Sequence, residues 1–362
     1  MRNEALYHIW LARHVSSDKI YKVLEIFDTP QKAFEANNDA IFTAPLDESV
    51  KNAISNKDLK EAYKILEDCV KNGIRPITLD NAEYPELLKE IPGPPSVLYV
   101  KGTIPDLSQS ISLAMVGTRN PSVYAVNMAK KFSYEIASGG MVIVSGLARG
   151  IDTLCHKGAL SANMKTVAVL GCGVDVVYPS ENTEIQRLVS ENGAVISEYP
   201  PGVPPLAANF PARNRIISGL SQGVFVIEGT VKSGTMITCR LALEQGREVF
   251  TIPTNLDNPK GSGNIALIKQ GAKVVEDVAD VFEEFLMSFP ETALTTMTKK
   301  DTAKISDSQK VIMRILEPSI PMYIDDICRK ASQGAAEVNG NLTMLELKGL
   351  ITRLPGKNYV LK

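Results

Sequence analysis

Histidine and cysteine are scarce in this chain, and neither forms a recognisable pattern. The chain has three histidines, at positions 8, 14 and 156, and five cysteines, at positions 69, 155, 172, 239 and 328. An odd number of scattered cysteines fits neither a disulfide framework nor a zinc site. We therefore expect no metal centre, and we expect a reducing compartment, the cytoplasm, as the location of the protein.

Long apolar runs and a dominant charge are absent as well. No apolar run approaches the roughly 20 residues that a membrane-spanning helix needs, and the first residues lack a signal-peptide pattern. Lys and Arg number 39 against 41 Asp and Glu, which leaves a net charge of −2. We therefore expect no membrane contact. A site for nucleic acid has to be built locally, because the overall charge does not attract polyanions.

Short apolar segments followed by glycine-rich loops dominate the middle of the chain. Four such segments cover residues 111–116, 141–144, 166–170 and 223–227. Short apolar runs that end at glycine and alternate with helix-compatible segments predict the buried strands of a parallel sheet. The expected fold class is α/β, with a doubly wound, mostly parallel sheet. Ligands of such sheets bind in the crevice beyond the carboxyl ends of the strands.

The length of 362 residues predicts more than one domain. Helical apolar stripes predict a helical module over residues 1–74, and a proline-rich extended segment opens a core domain over residues 75–290. Residues 291–304 are rich in Thr and Lys without periodicity, which predicts a linker. Residues 305–362 predict three helices and a hairpin, the elements of a winged helix. Residues 299–362 hold 11 Lys and Arg against 7 Asp and Glu, which permits DNA contact and equally a role in protein contacts.

The loop after the first predicted strand, Gly117-Thr118-Arg119, is a candidate anion site. Glycine lets a ligand approach the backbone closely, and the helix that follows offers unpaired N–H groups. Arg119 adds a forked donor that suits phosphate. The alternative, that Arg119 pairs with a nearby carboxylate, stays open on the sequence alone.

The loop after the second predicted strand is the next candidate. We expect Ser145 and Gly146 to bind an anion through their backbone, beside Arg149. Asp152 and His156 stand four residues apart on one helix face, which suggests acid–base chemistry. Alternatively, Asp152 caps the helix and pairs with Arg149 or His156.

A proline-rich loop delivers a third candidate, in which Phe210 precedes Arg213, Asn214 and Arg215. Arginine and asparagine can hold a phosphate backbone, and a phenylalanine can stack a base. The alternative is that one arginine braces the sheet. The two arginines stand two positions apart, so on a helix they diverge, and at most one of them is expected to point into the crevice.

A fourth candidate, Lys232-Ser233-Gly234, opens a helix whose N-terminus can hold a phosphate. The glycines around it have the spacing of a Walker A loop, but Thr235 and Met236 stand where the lysine and the Ser/Thr of that loop are required. No glycine loop of the chain completes a dinucleotide fingerprint either. We therefore expect no ATP or NAD, and no cofactor.

Four motifs stand in the order and spacing of the DNA-processing protein A family (DprA, also called Smf), which this chain resembles from about residue 84 to 277. They are Val-Gly-Thr-Arg at 116–119, Ser-Gly-Leu-Ala-Arg-Gly-Ile-Asp at 145–152, Phe-Pro-Ala-Arg-Asn-Arg at 210–215 and Lys-Ser-Gly-Thr-Met-Ile-Thr at 232–238. The resemblance implies a Rossmann-like core that binds single-stranded DNA without sequence preference. It also implies a homodimer that protects incoming DNA and loads the RecA recombinase in natural transformation and homologous recombination.

The resemblance also implies roles for single residues. Arg119 corresponds to the arginine that binds DNA in the family, and Ser145, Gly146, Phe210 and Arg213 line the same pocket. Together with the motifs above, the expected DNA-binding residues are Gly117, Thr118, Arg119, Ser145, Gly146, Arg149, Phe210, Arg213, Asn214, Lys232, Ser233 and Gly234.

Two residues depart from the family pattern. The family often has lysine and histidine where this chain has Ala207 and Asn209. One phosphate contact is then missing, or Lys232 or Arg240 replaces it. The first residues resemble the SAM-like or helix-hairpin-helix-like module of the family, and the last resemble its winged helix. We expect the dimer surface around residues 235–273.

A Rossmann-like enzyme, similar to nucleoside-monophosphate hydrolases, is the alternative function. Asp152, His156 and Glu228 would then supply carboxylate and imidazole groups. Those enzymes carry a Pro-Gly-Gly-x-Gly-Thr-x-x-Glu motif, whereas residues 228–235 of this chain are Glu-Gly-Thr-Val-Lys-Ser-Gly-Thr. Because the glutamate of the motif is missing, we expect a binding protein and not an enzyme.

Overall fold

The computed structural model of the chain divides into two compact units, residues 1–298 and 299–362. The structure describes residues 2–286, 306–318, 320–347, 350–354 and 356–361. The predicted linker over residues 291–304 lies outside these ranges. No helix among the described residues is long and apolar enough to cross a membrane.

Six helices open the first unit, as the apolar stripes predict. They are α1 Arg2–His14, α2 Ser17–Phe27, α3 Pro30–Glu35, α4 Asn38–Thr43, α5 Glu48–Ser55 and α6 Lys60–Lys71. Trp10 is fully buried among them, in a cluster that extends to Tyr99 and Leu170 of the central sheet. The imidazole of His8 contacts the Ser96 hydroxyl at 2.9 Å and the Asp80 carboxylate at 2.8 Å. The helices therefore pack on one face of the sheet.

The central sheet has nine strands among the described residues. They are β1 Arg75–Thr78, β2 Val97–Gly102, β3 Ser112–Val116, β4 Val142–Ser145, β5 Thr166–Leu170, β6 Ala194–Ser197, β7 Gly223–Val226, β8 Glu248–Thr251 and β9 Lys273–Val274. Their order is β1-β2-β6-β5-β4-β3-β7-β8-β9. Strand β2 pairs antiparallel with β1 and β6, and the pairs from β6 to β9 are all parallel. The predicted doubly wound, mostly parallel sheet is confirmed.

Helices cover both faces of this sheet, which is why its inner strands are apolar throughout. These helices are α7 Glu86–Lys89, α8 Val123–Ser138, α9 Ile151–Ser161, α10 Thr183–Asn192, α11 Asn209–Gly219, α12 Gly234–Glu244, α13 Ser262–Lys269 and α14 Val278–Leu286. Alternate residues of β3 enter different cores: Leu113 and Met115 pack on one face, Ala114 and Val116 on the other.

The direction of winding reverses between β3 and β7. Chain order runs outward from β3 through β4, β5 and β6 on one side, and from β7 through β8 on the other. The loops that leave the carboxyl ends of β3 and β7 therefore diverge to opposite sides of the sheet. Such a switch point opens a crevice at the strand ends.

The second unit has the elements of the predicted winged helix. They are helices α15 Asp307–Ile315, α16 Ile324–Ala331 and α17 Ala335–Leu347, and strands β10 Met322–Tyr323, β11 Ile351–Leu354 and β12 Asn358–Leu361. Ser306 and Gln309 form a capping box that begins α15. The unit has its own core around Ile312, Ile327 and Leu342.

Candidate nucleic-acid interface

A cavity of about 550 Å³ lies at the switch point between β3 and β7. Three of the segments that contribute to its lining are Gly117–Arg119 after β3, the start of α11 with Phe210, Pro211, Arg213 and Asn214, and Ser233–Thr235 at the start of α12. The sequence placed candidate anion sites in all three. The parallel sheet brings them together, because it aligns the carboxyl ends of its strands along one edge.

The loop after β3 is held close to its neighbours. A β carbon at Gly117 would stand 2.6 Å from Cγ1 of Ile151, so only glycine fits. The Thr118 amide donates to the Glu228 carbonyl oxygen at 2.7 Å. Arg119 follows this anchored pair and is exposed. Its guanidinium carbon lies 5.5 Å from the centroid of the Phe210 ring. Among the described residues the Arg119 guanidinium forms no ion pair, so the loop presents this cation next to an aromatic ring.

Glu228, two residues after the end of β7, anchors the segment that follows this loop through Ser122. Its buried carboxylate accepts hydrogen bonds from the Ser122 amide at 2.8 Å, the Ser122 hydroxyl at 2.7 Å and Nδ2 of Asn258 at 3.0 Å. The Ser122 hydroxyl also caps α8 by accepting from the Ala125 amide. With three donors bound, the Glu228 carboxylate is a structural tether.

Asp152 and Arg213 line the cavity, and Gly146 lies between their side chains. Asp152 and Arg213 are only 6% and 4% exposed. The Gly146 amide donates to Oδ2 of Asp152 at 3.2 Å, and its carbonyl accepts from Nη1 of Arg213 at 2.8 Å. A β carbon on Gly146 would stand 2.6 Å from both side chains. The glycine therefore lets a carboxylate and a guanidinium share one buried space.

Burial shifts the pKa values of Asp152 and Arg213. It raises the pKa of Asp152 to about 6, against the attraction of the Arg213 charge. It lowers the pKa of Arg213 to about 10, against the attraction of Asp152. Nε of Arg213 has no hydrogen-bond partner among the described residues. Arg213 matches the bracing arginine of the alternative interpretation, although it also borders the cavity.

His156 does not pair with Asp152, although the two share a helix face as predicted. The imidazole is fully buried, and its Nδ1 contacts the Thr166 hydroxyl at 2.8 Å. Burial and the nearby Arg213 charge lower the pKa of His156 to about 3. A neutral, buried imidazole without access to the crevice provides no proton to a ligand there.

Two predicted site residues, Ser145 and Arg149, do not border the cavity and form contacts elsewhere. Ser145 is buried, and its hydroxyl donates to the Met115 carbonyl at 2.6 Å, so it joins β4 to β3. Arg149 forms a two-pronged ion pair with Glu181, at 2.5 and 2.7 Å. Arg149 therefore pairs with Glu181 and not with Asp152, the partner that the sequence suggested for it.

The start of α12 borders the cavity with Ser233 and Gly234, while Lys232 is exposed beside it. The Ser233 hydroxyl donates to the Thr230 carbonyl at 2.7 Å and does not cap the helix. The first N–H groups of α12 therefore lack a side-chain cap, which suits an anion. Nδ2 of Asn214 reaches the Gly234 carbonyl at 3.4 Å.

The positions that depart from the family pattern also lie here. Ala207 borders the cavity, and Nδ2 of Asn209 donates to the Gly171 carbonyl at 3.0 Å. Nη2 of Arg215 donates to Oε1 of Glu198 at 2.5 Å. Neither Ala207 nor Asn209 carries a positive charge, whereas Arg119 and the uncapped start of α12 border the cavity.

Tyr178 is a cavity residue that the sequence did not reveal. Its ring centroid lies 5.4 Å from that of Phe210, with the planes inclined by 45°. It stands in the loop after β5, seven residues beyond Gly171, directly after Val176 and Val177. An aromatic residue in a loop that follows a parallel strand was the available signal.

Comparison with known proteins shows to which family the chain is similar. The family model described as DNA recombination-mediator protein A matches residues 75–286, and the one described as DprA winged helix domain matches residues 297–357. The DNA processing protein DprA of Bacillus subtilis (strain 168) is 41% identical over 241 residues, which cover 66% of this chain and 81% of the relative. Protein Smf of Escherichia coli (strain K12) is 39% identical over 287 residues, 77% of this chain and 75% of the relative.

Solved structures show the same similarity. The X-ray structure of DprA from Streptococcus pneumoniae aligns with a TM-score of 0.68 at 35% identity and covers 77% of this chain and 97% of that one. DprA from Helicobacter pylori, whose structure gave insights into a unique single-stranded DNA binding mode, aligns with a TM-score of 0.54 at 29% identity over 60% of this chain and 98% of that one. Since a single family model covers more than half of the chain, the chain belongs to the DNA recombination-mediator protein A (DprA/Smf) family, with a Rossmann-like core and a DprA-type winged helix.

Proposed function

We propose that this chain binds single-stranded DNA without sequence preference in the crevice between β3 and β7. The exposed Arg119 guanidinium beside the Phe210 ring is the observation that carries this proposal. A cation next to an aromatic surface suits a phosphate and its base together. The H. pylori relative, described with single-stranded DNA, supports the same ligand class.

The biological setting is proposed from family membership. We infer that the protein acts in the cytoplasm as a homodimer that protects incoming single strands and loads the RecA recombinase onto them. Leu243 and Leu256 are large exposed apolar residues within the expected dimer segment, 235–273.

The proposed domains are 1–74, 75–290 and 305–362, with a linker at 291–304.

The winged helix has a charge pattern that favours protein contacts over reading of duplex DNA. Third helices of related helix-turn-helix folds enter the major groove. Here that helix, α17, carries Glu337 and Glu346 and no Lys or Arg. Of the two roles that the sequence left open for this domain, we propose the contact with a protein.

A salt titration tests the proposed function. Residues 112–250 hold 12 Lys and Arg against 10 Asp and Glu, so a narrow pocket, not a broad basic stripe, neutralises the phosphates. For two to four contacts per protomer, log K is expected to fall against log salt with a slope of about −1.5 to −3. The measurement is fluorescence anisotropy of a labelled strand of about 20 nucleotides, with unlabelled duplex as competitor. A slope near −7, typical of about ten phosphates, or displacement by duplex would contradict the proposal.

We also propose that the crevice performs no covalent chemistry. The groups that a hydrolase of the alternative class would use already have structural roles. The Glu228 carboxylate accepts hydrogen bonds from three donors. His156 is fully buried, and the nearly buried Asp152 accepts a hydrogen bond from the Gly146 amide. Incubation with nucleoside monophosphates is expected to release no free base, measured by chromatography. A release that disappears in Glu228→Gln would restore the enzyme interpretation.

A further inference from the structure

The Phe210 ring has little free surface for a base. The Arg119 guanidinium lies over it at 5.5 Å, and the Tyr178 ring lies 5.4 Å away. The ring also abuts the loop after β5, since a β carbon on Gly171 would stand 3.2 Å from its Cδ1. Phe210 is half-buried as a result. A base that stacks on Phe210 would therefore compete with these neighbours.

Tyr178, in contrast, presents its ring to solvent. It is 40% exposed and borders the cavity. In the part of the chain that the structure describes, its hydroxyl has no hydrogen-bond partner. Two further large apolar residues are exposed: Val177, next to Tyr178 in the chain, and Leu206, which stands between the cavity-lining residues Pro205 and Ala207. Apolar and aromatic surface that stays exposed beside a polar cavity is typical of a ligand site.

We propose that Tyr178 is the residue on which a base of the bound strand stacks, with Phe210 as the support that positions both Tyr178 and Arg119. This inference rests on the proposed function and names a contact within it. Arg119 and Tyr178 flank the same ring at nearly equal distances. In this arrangement one nucleotide would place its phosphate at the arginine and its base on the tyrosine.

The proposed contact explains why binding needs no particular sequence. Every base has a π-face, so stacking on an aromatic side chain tolerates all four bases. The phenol suits this position because its ring is apolar while its hydroxyl remains in water. No side-chain donor or acceptor that could read the edge of a base is needed for it.

The test compares two labelled strands of equal length, an oligothymidylate of about 20 nucleotides and its abasic counterpart, which has the same phosphates and no bases. Wild-type protein is expected to bind the base-bearing strand about 5- to 100-fold more tightly. Tyr178→Ala is expected to lose this preference and to bind both strands with the abasic affinity. Tyr178→Phe keeps the ring and is expected to keep the preference. Tyr134→Ala, a similarly exposed tyrosine of α8 away from the cavity, is the matched control.

A second measurement does not depend on affinity. The chain has one tryptophan, Trp10, which is 1% exposed within the helical module. Tyr178→Trp therefore adds a fluorophore at the proposed contact against a constant background. Its emission is expected to be quenched by the oligothymidylate and unchanged by the abasic strand.

Two other outcomes would overturn different statements. If Tyr178→Ala keeps the preference for bases while Phe210→Leu loses it, the base stacks on Phe210 and the inference is wrong. If wild-type protein binds neither strand, the proposed function itself is wrong, whatever Tyr178 does.

Discussion

Replacement of Arg119 by alanine is expected to weaken the binding of a single strand by about 10- to 100-fold, the loss typical of a hydrogen bond between charged groups. The side chain is exposed and has no carboxylate partner among the described residues, so its charge is free to meet a phosphate. Fluorescence anisotropy of a labelled strand of about 20 nucleotides measures the loss. The melting temperature should not change, because no buried contact is removed.

Arg119→Lys separates charge from shape. Lysine keeps the positive charge but lacks the planar fork that matches a phosphate and can stack on an aromatic ring. We expect an affinity between those of wild type and Arg119→Ala. An affinity equal to that of wild type would reduce the role of Arg119 to that of a point charge.

Arg149→Ala is the matched control, since both arginines are exposed and both follow a strand of the same sheet. Arg149 is held by Glu181 and does not border the cavity. Its replacement is expected to leave strand binding unchanged. A loss as large as that of Arg119→Ala would place the strand along the loop after β4, as the sequence suggested, and would contradict a site confined to the crevice.

The difference between Arg119 and Arg149 shows which features of the site the sequence could predict. Glycine loops after apolar runs are local features, so they predicted the parallel strands and the edge at which ligands bind. The partner of an arginine is a distant residue: Glu181 stands 32 positions from Arg149. Spacing along the chain carries no information about such a contact. On the sequence alone, Arg119 and Arg149 therefore looked equally suitable for binding a phosphate.

The sequence did not show which motif residues are buried either, because burial also depends on contacts between distant residues. Ser145 and Arg213 belong to motifs that suggested direct contact with DNA, yet Ser145 is fully buried between strands and Arg213 almost fully beneath the crevice. Both positions depend on how α11 and β3 pack against neighbouring strands. Tyr178 was overlooked because its ring contact with Phe210 joins two distant parts of the chain, which the sequence does not show. Motif residues thus include some that shape the crevice and some that face it.

Loss of the buried Asp152 carboxylate is expected to lower the free energy of unfolding by about 3–5 kcal/mol, because Asp152→Ala leaves the Arg213 guanidinium buried without a compensating charge. The two side chains share the space over Gly146 and are 6% and 4% exposed. Chemical denaturation at pH 7 measures the loss. The double variant Asp152→Ala/Arg213→Met removes both charges and is expected to be more stable than Asp152→Ala alone.

The pH dependence of stability gives a second readout. Burial raises the pKa of Asp152 from 3.8 to about 6, so the folded protein holds this proton more tightly than the unfolded chain does. The corresponding stabilisation is complete below pH 3.8 and is lost as the pH rises through about 6, a change on the order of 3 kcal/mol. Asp152→Asn cannot titrate. The difference in unfolding free energy between wild type and this variant should therefore change across that pH window.

Glu181→Ala supplies the exposed counterpart, since it also leaves an arginine without its carboxylate. Water solvates the freed Arg149 charge, so little stability is expected to be lost. The contrast isolates burial as the cause, because both variants remove one carboxylate near one arginine. If Asp152→Ala cost no more than Glu181→Ala, water would have to reach the Arg213 guanidinium. Arg213 would then be a second cation available to the strand, and the site would no longer rest on Arg119 alone.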